Sequence, residues 1–443
     1  MEALSKEIRQ AREEVHQMPM GYWILLGAYS LVGFGSPMPT NITWLEIVIG
    51  AGLIVGGLML VRNVIAGMTQ DWQGRSILGM GATLLVVPMT VAFFHDYATK
   101  DVMRDVIPLI FLLGTPVLLV YSKRVISRVG LRRLIVLALL MVGLVSAVTF
   151  WIRAADLYGS LEMAGSYMRR GLSLYLQGDS NITTPAIEIS KEISVIDILG
   201  MYDPAVLFSC LFLCSWGVVL LVHSWRYCLP GSILLAAGAI IGYELMVLGL
   251  RSYALSIVVV VLIIAGTQLR KRGFYTRLLP LGMVSVVLFY PQIQGVVQLL
   301  WIKQLAVGTN GKYAEWEAVI STISSNPWNM FFGIGWGGMV DNPILSYPTR
   351  FTHSLLSFFL LKSGLVGLGV MLMTMVSLLF HGRSQSDSES LSVSRIIMLV
   401  SSLPPLLIGI FFEPSYKMHS YGVILALLIL ALPWVASQKK ISV

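Results

Sequence analysis

Apolar runs of near-spanning length, with few charges, recur from one end of this chain to the other. They fall at 20–37, 44–62, 76–94, 104–121, 132–151, 204–222, 229–250, 252–268, 278–300, 354–380, 394–412 and 419–436. Each is close to the roughly 20 residues with which a helix crosses a bilayer. Within hydrocarbon only helices and closed barrels satisfy their own backbone polar groups, and continuous rather than alternating runs select helices. The pattern predicts an all-α, polytopic membrane protein of about twelve helices. Of 443 residues, 56% are hydrophobic and 12% charged, outside the balance of soluble domains. A net charge of +8 invites a nucleic-acid reading. In a membrane protein such an excess follows from the bias that places Lys and Arg in cytoplasmic loops, so no nucleic-acid partner is expected.

The basic clusters test the orientation. "SKRVISRVGLRR" (Ser122–Arg133), "RKRGFYTR" (Arg270–Arg277) and the terminal "SQKK" all reach the cytoplasm if twelve helices follow a cytoplasmic N-terminus. Both termini are then cytoplasmic. Residues 1–19 lack the apolar core of a signal peptide. Leu4, Ile8, Ala11 and Val15 instead mark one face of an interfacial helix. The same count exposes two long periplasmic loops, 152–203 and 301–353, the first of them mildly acidic. "HGRSQSDSESLSVSR" (His381–Arg395) reads as a cytoplasmic connector, and no internal repeat supports an inverted-repeat transporter. Cys210 and Cys214, one helical turn apart, and Cys228 read as small packing residues rather than as a disulfide or metal site.

Few polar residues interrupt the apolar runs, and those few carry the chemistry. Arg251 sits in "MVLGLRSYALSIVVVV" between two spanning windows, at an outer boundary where the positive-inside bias disfavours arginine. Snorkelling to headgroups is the alternative. Glu244 lies seven residues earlier, about 10 Å along a helix, so the two share a face without bridging directly. Intramembrane charges mark functional sites, and a guanidinium fork suits a diphosphate. His353, just before the tenth window, reaches the same outer surface, where an imidazole exchanges protons with a sugar hydroxyl or holds a phosphate. Gly364 and Gly367 read as close-packing positions of that helix.

The third constellation is "NGKYAEWEAVISTISSNPWNMFFGIGWGG", residues 310–338. Trp316, Val319 and Ile323 predict a short amphipathic helix on the outer surface, with Lys312 at its start. Glycines 333, 335, 337 and 338 lack the strand–turn–helix context of a phosphate loop, so no nucleotide site is expected. Glu315, Glu317 and Asp341 are candidate bases, with solvated loop acids as the alternative for each.

Together these stretches resemble the O-antigen ligase and polymerase superfamily. "RSYAL" (Arg251–Leu255) is similar to its R-x-x-x-L pattern. "HSLLSFFLLKSGLVG" (His353–Gly367) is similar to its H-[NSQ]-x9-G-x-x-G pattern. "KYAEW" ahead of "NPWNMFFGIGWG" resembles its basic residue before Trp followed by Pro and G-x-G. "MYDPAVL" (Met201–Leu207) resembles the Asn-Pro element opening its sixth helix. The likeness spans roughly 200–370, with Lys312 where arginine is usual and Asp203 where asparagine is usual.

The resemblance implies a GT-C-like membrane glycosyltransferase of the bacterial inner membrane, working at the periplasmic face. Such enzymes invert the anomeric centre, need no metal and take glycan from an undecaprenyl-diphosphate donor. Arg251, with Lys312, would hold the diphosphate. His353 would serve as base on the acceptor or as a further phosphate contact, with Glu315, Asp341 and Glu244 as further acceptor-side candidates. A ligase would transfer to lipid A-core, a polymerase to another lipid-linked glycan. The acidic first loop favours the polymerase's acceptor, and the Arg and His patterns favour the ligase. A lipid-linked sugar flippase is the rival from another class. It requires charges deep in several helices, and on the sequence only Glu244 reads as deep.

Overall fold

The computed structural model describes residues 19–34, 44–70, 72–121, 128–158, 203–247, 250–291, 293–295, 297–298, 301, 312–342, 347–381 and 393–432. Each of the twelve apolar windows contains a helix among the described residues. In chain order the helices are α1 (Met20–Ser30), α2 (Trp44–Met68), α3 (Trp72–Phe94), α4 (Thr99–Tyr121), α5 (Arg128–Tyr158), α6 (Pro204–His223), α7 (Cys228–Val247), α8 (Arg251–Gln268) and α9 (Phe274–Leu288). After them come α10 (Lys312–Ser324), α11 (Pro327–Phe332), α12 (Leu355–His381), α13 (Val393–Phe411) and α14 (His419–Ala431). Strands β1 (Val340–Asn342) and β2 (Tyr347–Thr349) pair antiparallel between α11 and α12, with Asp341 opposite Pro348. Among the described residues nine helices are long and apolar enough to cross a membrane, and three apolar helices, at Met20–Phe34, Phe274–Leu288 and His419–Ala431, are shorter. The chain is an all-α, multi-pass membrane protein.

The boundaries differ from the apolar windows where polar residues are helical. α4 begins at Thr99, which places Asp105 inside the helix rather than at its start. α5 runs on to Tyr158, into the stretch read as the first loop. The remainder of that loop, the N-terminal segment read as an interfacial helix and the 382–392 connector lie outside the described residues.

Two units divide the chain, one formed by Met1–Tyr29, Val48–Ala138 and Lys312–Val443, the other by Ser30–Ile47 and Leu139–Gly311. In the second unit α6 and α7 pack closely as a hairpin. Asp203 caps α6 by accepting a 2.8 Å hydrogen bond from the Ala205 N–H, with Pro204 in the first turn. Asp serves this cap as well as Asn does, so the departure at 203 keeps its structural role. Cys214 Sγ fills the space where a Cβ on Gly238 would stand, 2.6 Å away, and Cys210 Sγ donates to the Gly238 carbonyl at 3.3 Å. Both thiols pack the helix contact.

In the first unit a broken helix organises the site. Gly364 has φ +63° and ψ −165°, so α12 kinks there. The carbonyls of Leu361 and Lys362 instead accept from the N–H groups of Ile334 (2.9 Å) and Gly335 (3.0 Å). A Cβ at Gly364 would stand 2.4 Å from the Phe331 carbonyl carbon. Gly364 is therefore a kink residue, not only the close-packing position read from its spacing. Gly364→Ala should destabilise the protein by at least the ~1–3 kcal/mol of a strained backbone position. Thermal unfolding in detergent measures it, with Gly369→Ala, whose Cβ would meet nothing, as the control.

Candidate functional site

α10 presents Glu315, Val319 and Ile323 on one buried face, spaced four residues apart. The two aliphatic residues join Ile334, Val340, Leu360 and Leu361 in a small apolar core. The sequence expectation placed Trp316 on that stripe, but Trp316 is 39% exposed and Glu315 occupies the buried position. A carboxylate on the buried side of an amphipathic helix needs a partner, because leaving it alone would cost several kcal/mol.

The partner is His353. Glu315 Oε1 accepts the His353 backbone N–H at 2.7 Å, and Oε2 pairs with the ring Nδ1. Against an ionised carboxylate, which only accepts, Nδ1 is the donor, and in the neutral form of the ring Nε2 is then the nitrogen with the free lone pair. The His353 side chain is 35% exposed while that of Glu315 is 3% exposed, so the pair has a hidden acid and an accessible imidazole. His353 is not the cap of α12. Ser354 takes that role, accepting from the Ser357 N–H at 3.1 Å, while Ser357 Oγ donates to Thr352 Oγ1 at 2.7 Å. The hydroxyls fix the backbone on both sides of His353 and leave its ring to Glu315.

The glycine-rich loop holds this arrangement from behind. Gly333, Gly335 and Gly337 all have positive φ, and a Cβ at Gly333 would stand 2.4 Å from the backbone of α12. The loop's amides are spent on protein: Ile334 and Gly335 on α12, Trp336 on the Pro88 carbonyl of α3 (3.2 Å), and Gly337 on Asp105 Oδ2 (2.6 Å). Lys362 completes the set by donating to both Asp105 Oδ2 and the Gly338 carbonyl. Asp105 and Lys362 are fully buried. Glu244 is therefore not alone among buried charges, and the partners Asp105 and Lys362 lie too far apart in sequence for their pairing to be read there.

Two further basic residues of this unit meet carboxylates. Lys312, expected at a diphosphate, forms a 3.0 Å ion pair with Glu413 and lies 5.9 Å from the centre of the Phe412 ring. Arg350 pairs with Asp101 at 2.5 Å, a contact that holds the guanidinium further in its charged form. Asp341 and Glu317 are exposed. Lys417, in the 3-10 turn Pro414–Lys417 before α14, is half-buried, with Nζ 4.2 Å from the centre of the Phe351 ring. Burial pushes its ammonium down to about 7, against the pull of Glu315 and Asp105.

The structure thus brings His353 and Glu315 together, and places Lys312 on the helix that supplies Glu315. Arg251 and Glu244 belong to the other unit. Arg251 opens α8 and is half-buried, and Glu244 is fully buried in α7. Both Glu244 carboxylate oxygens lack a hydrogen-bond partner among the described residues. Sequence reasoning missed Asp105, Lys362, Glu413 and the contacts of Lys417. The short polar turn "FFEPSYKMHS" between two apolar helices was the available signal for the last two. Among the described residues no group of three His, Cys, Asp or Glu side chains is placed to hold a metal ion. In comparisons with known proteins, no family model matches the chain and no curated protein matches it significantly.

Proposed function

We propose that the chain is an inverting, metal-independent glycosyltransferase that takes glycan from an undecaprenyl-diphosphate donor. On this reading it is GT-C-like, crosses the bacterial inner membrane twelve times with both termini cytoplasmic, and works at the periplasmic face. The observation that carries the reading is the Glu315–His353 pair, a buried carboxylate orienting an accessible imidazole. His353 Nε2 takes the proton of the acceptor hydroxyl as its oxygen bonds to the anomeric carbon. The bond to the diphosphate breaks, and its electron pair leaves with the diphosphate. Arg251 keeps the role that the resemblance implies, a fork on the diphosphate that stabilises its departing charge. Lys312 is a weaker candidate for that role, since its charge already meets Glu413.

Among acceptors we favour phosphorylated lipid A-core, which makes the protein a ligase; a polymerase would use another lipid-linked glycan. Deleting a ligase should leave lipid A-core bare while long chains accumulate on undecaprenyl diphosphate. Deleting a polymerase should leave core carrying one repeat and no long chains. Gels and lipid extracts of the deletion strain separate the two, and a normal glycan profile would remove both. The buried Asp105 and Lys362 lend weight to a flippase reading, since charges deep in helices line transport paths. Here each is bonded to the glycine-rich loop, which favours a structural use of the pair.

A further inference from the structure

The turn Pro414–Lys417 is fastened to the segment that delivers His353. Tyr416 Oη donates to the Thr352 carbonyl at 2.9 Å, and Lys417 Nζ stands over the ring of Phe351. Two successive residues of the turn thus grip the two residues that precede His353. The aromatic packing is continuous: the Phe351 ring stacks on Phe358 at 5.7 Å, and Phe358 lies 5.2 Å from Tyr416. Lys312, Arg350 and Lys362 each meet a carboxylate, whereas Lys417 meets an aromatic face. Among the described residues no carboxylate lies within salt-bridge distance of it.

A ring face steadies an ammonium without using up its N–H donors in strong hydrogen bonds. An ammonium partly out of water also gains more from an arriving anion than a solvated one does. We propose that Lys417 is an anion-binding residue of the His353 site and that its ligand is the diphosphate of the lipid-linked donor. The choice of diphosphate rests on the glycosyl-transfer reading.

The proposal has a signature in pH. The turn packs against α4, α13 and α14. Their titratable groups are Lys100, Asp101, Arg104, Asp105 and Tyr121 on α4, Arg395 on α13, and His419 and Tyr421 on α14. Glu315, His353 and Arg350 lie on the segments it grips or that pair with them, and Glu413 and Tyr416 are its own neighbours. With the site empty, Lys417 loses its proton as the pH rises through about 7. Binding diphosphate needs the charged form, so affinity should be greatest below that pH and fall above it, as ligand binding becomes linked to proton uptake.

The test uses the purified full-length protein in detergent, with farnesyl diphosphate as probe and farnesol as tail-only control. Calorimetry is run near pH 6 and near pH 8.5, about a unit or more on either side of the transition. The wild type should bind the diphosphate and not the alcohol, more weakly at the higher pH. Lys417→Met should weaken binding by about tenfold or more, the contribution of one charge-assisted hydrogen bond. Lys417→Arg should restore binding and lose the extra weakening above neutrality, because guanidinium stays charged. Unchanged affinity in Lys417→Met overturns the role of Lys417 and leaves the glycosyl-transfer reading standing. If Lys417→Met fails to fold, an Arg variant whose pH profile matches the wild type overturns the same role. A wild type that binds farnesol and farnesyl diphosphate alike overturns both.

Discussion

Purified protein carrying His353→Ala should turn over a lipid-diphosphate-linked donor about 10²–10⁴-fold more slowly than the wild type, the usual contribution of a positioned base. Glu315→Gln should fall by a similar factor although the amide is nearly the same shape. In the wild type both carboxylate oxygens accept, one from the His353 N–H and one from Nδ1–H. An amide retains a single accepting oxygen. If that oxygen stays on the backbone N–H, the NH₂ group faces Nδ1 and forces it to accept. The proton moves to Nε2, and the base is lost through the wrong tautomer rather than a missing ring. Arg251→Ala should also abolish transfer, and Arg251→Lys should be badly impaired, since a point charge replaces a fork. Asp341→Asn, at an exposed strand position, should stay near wild type. The readout is initial rate with purified donor and acceptor, alongside elution volume in detergent. A fully active Glu315→Gln protein would remove the dyad from the mechanism.

The helices were legible because hydrocarbon leaves the chain so little choice. A run of apolar residues long enough to span has to satisfy its backbone internally, and each window so read contains a helix among the described residues. The start of α6 follows the expectation that the resemblance of "MYDPAVL" to a helix-opening element implies, with Asp203 as its cap. The acid of the dyad was legible in part. Glu315 stands among the candidate bases, but the helical spacing Trp316–Val319–Ile323 points to Trp316 rather than Glu315 as the first residue of the apolar stripe. The register Glu315–Val319–Ile323 fits the helical period equally well, and only the pairing of Glu315 with the distant His353 decides between them. Lys362 was hidden within "SFFLLKSGLVG", a run whose length argues for an uninterrupted helix. Its partner Asp105 lies 257 residues away, and periodicity carries no information across such a distance. The break at Gly364 was equally concealed, since a glycine in an apolar helix serves close packing more often than a left-handed turn.

The buried pair supplies the largest expected effect on stability. Lys362→Met should destabilise the protein by about 3–5 kcal/mol, the cost of removing one partner from a buried ion pair. Asp105 would then sit fully buried with only the Gly337 N–H on Oδ2, and its Oδ1 already has no partner. Asp105→Leu should cost a comparable amount, because it strands the Lys362 ammonium and the Gly337 N–H together. The double variant should be destabilised by less than the sum of the two, since no lone charge remains. It should still fall short of the wild type by about 1–3 kcal/mol for each loop group left unsatisfied, the Gly337 N–H and the Gly338 carbonyl. A double-mutant cycle on unfolding in detergent isolates the coupling. Activity should follow stability, because the loop held by this pair packs Ile334 against the face of α10 that carries Glu315. A transport path predicts the opposite division. There Lys362→Met would keep the fold intact and abolish movement of the cargo. Single variants within about 1 kcal/mol of wild type, the range of surface substitutions and weak pairs, would show that the loop stands without the pair and return both charges to that rival.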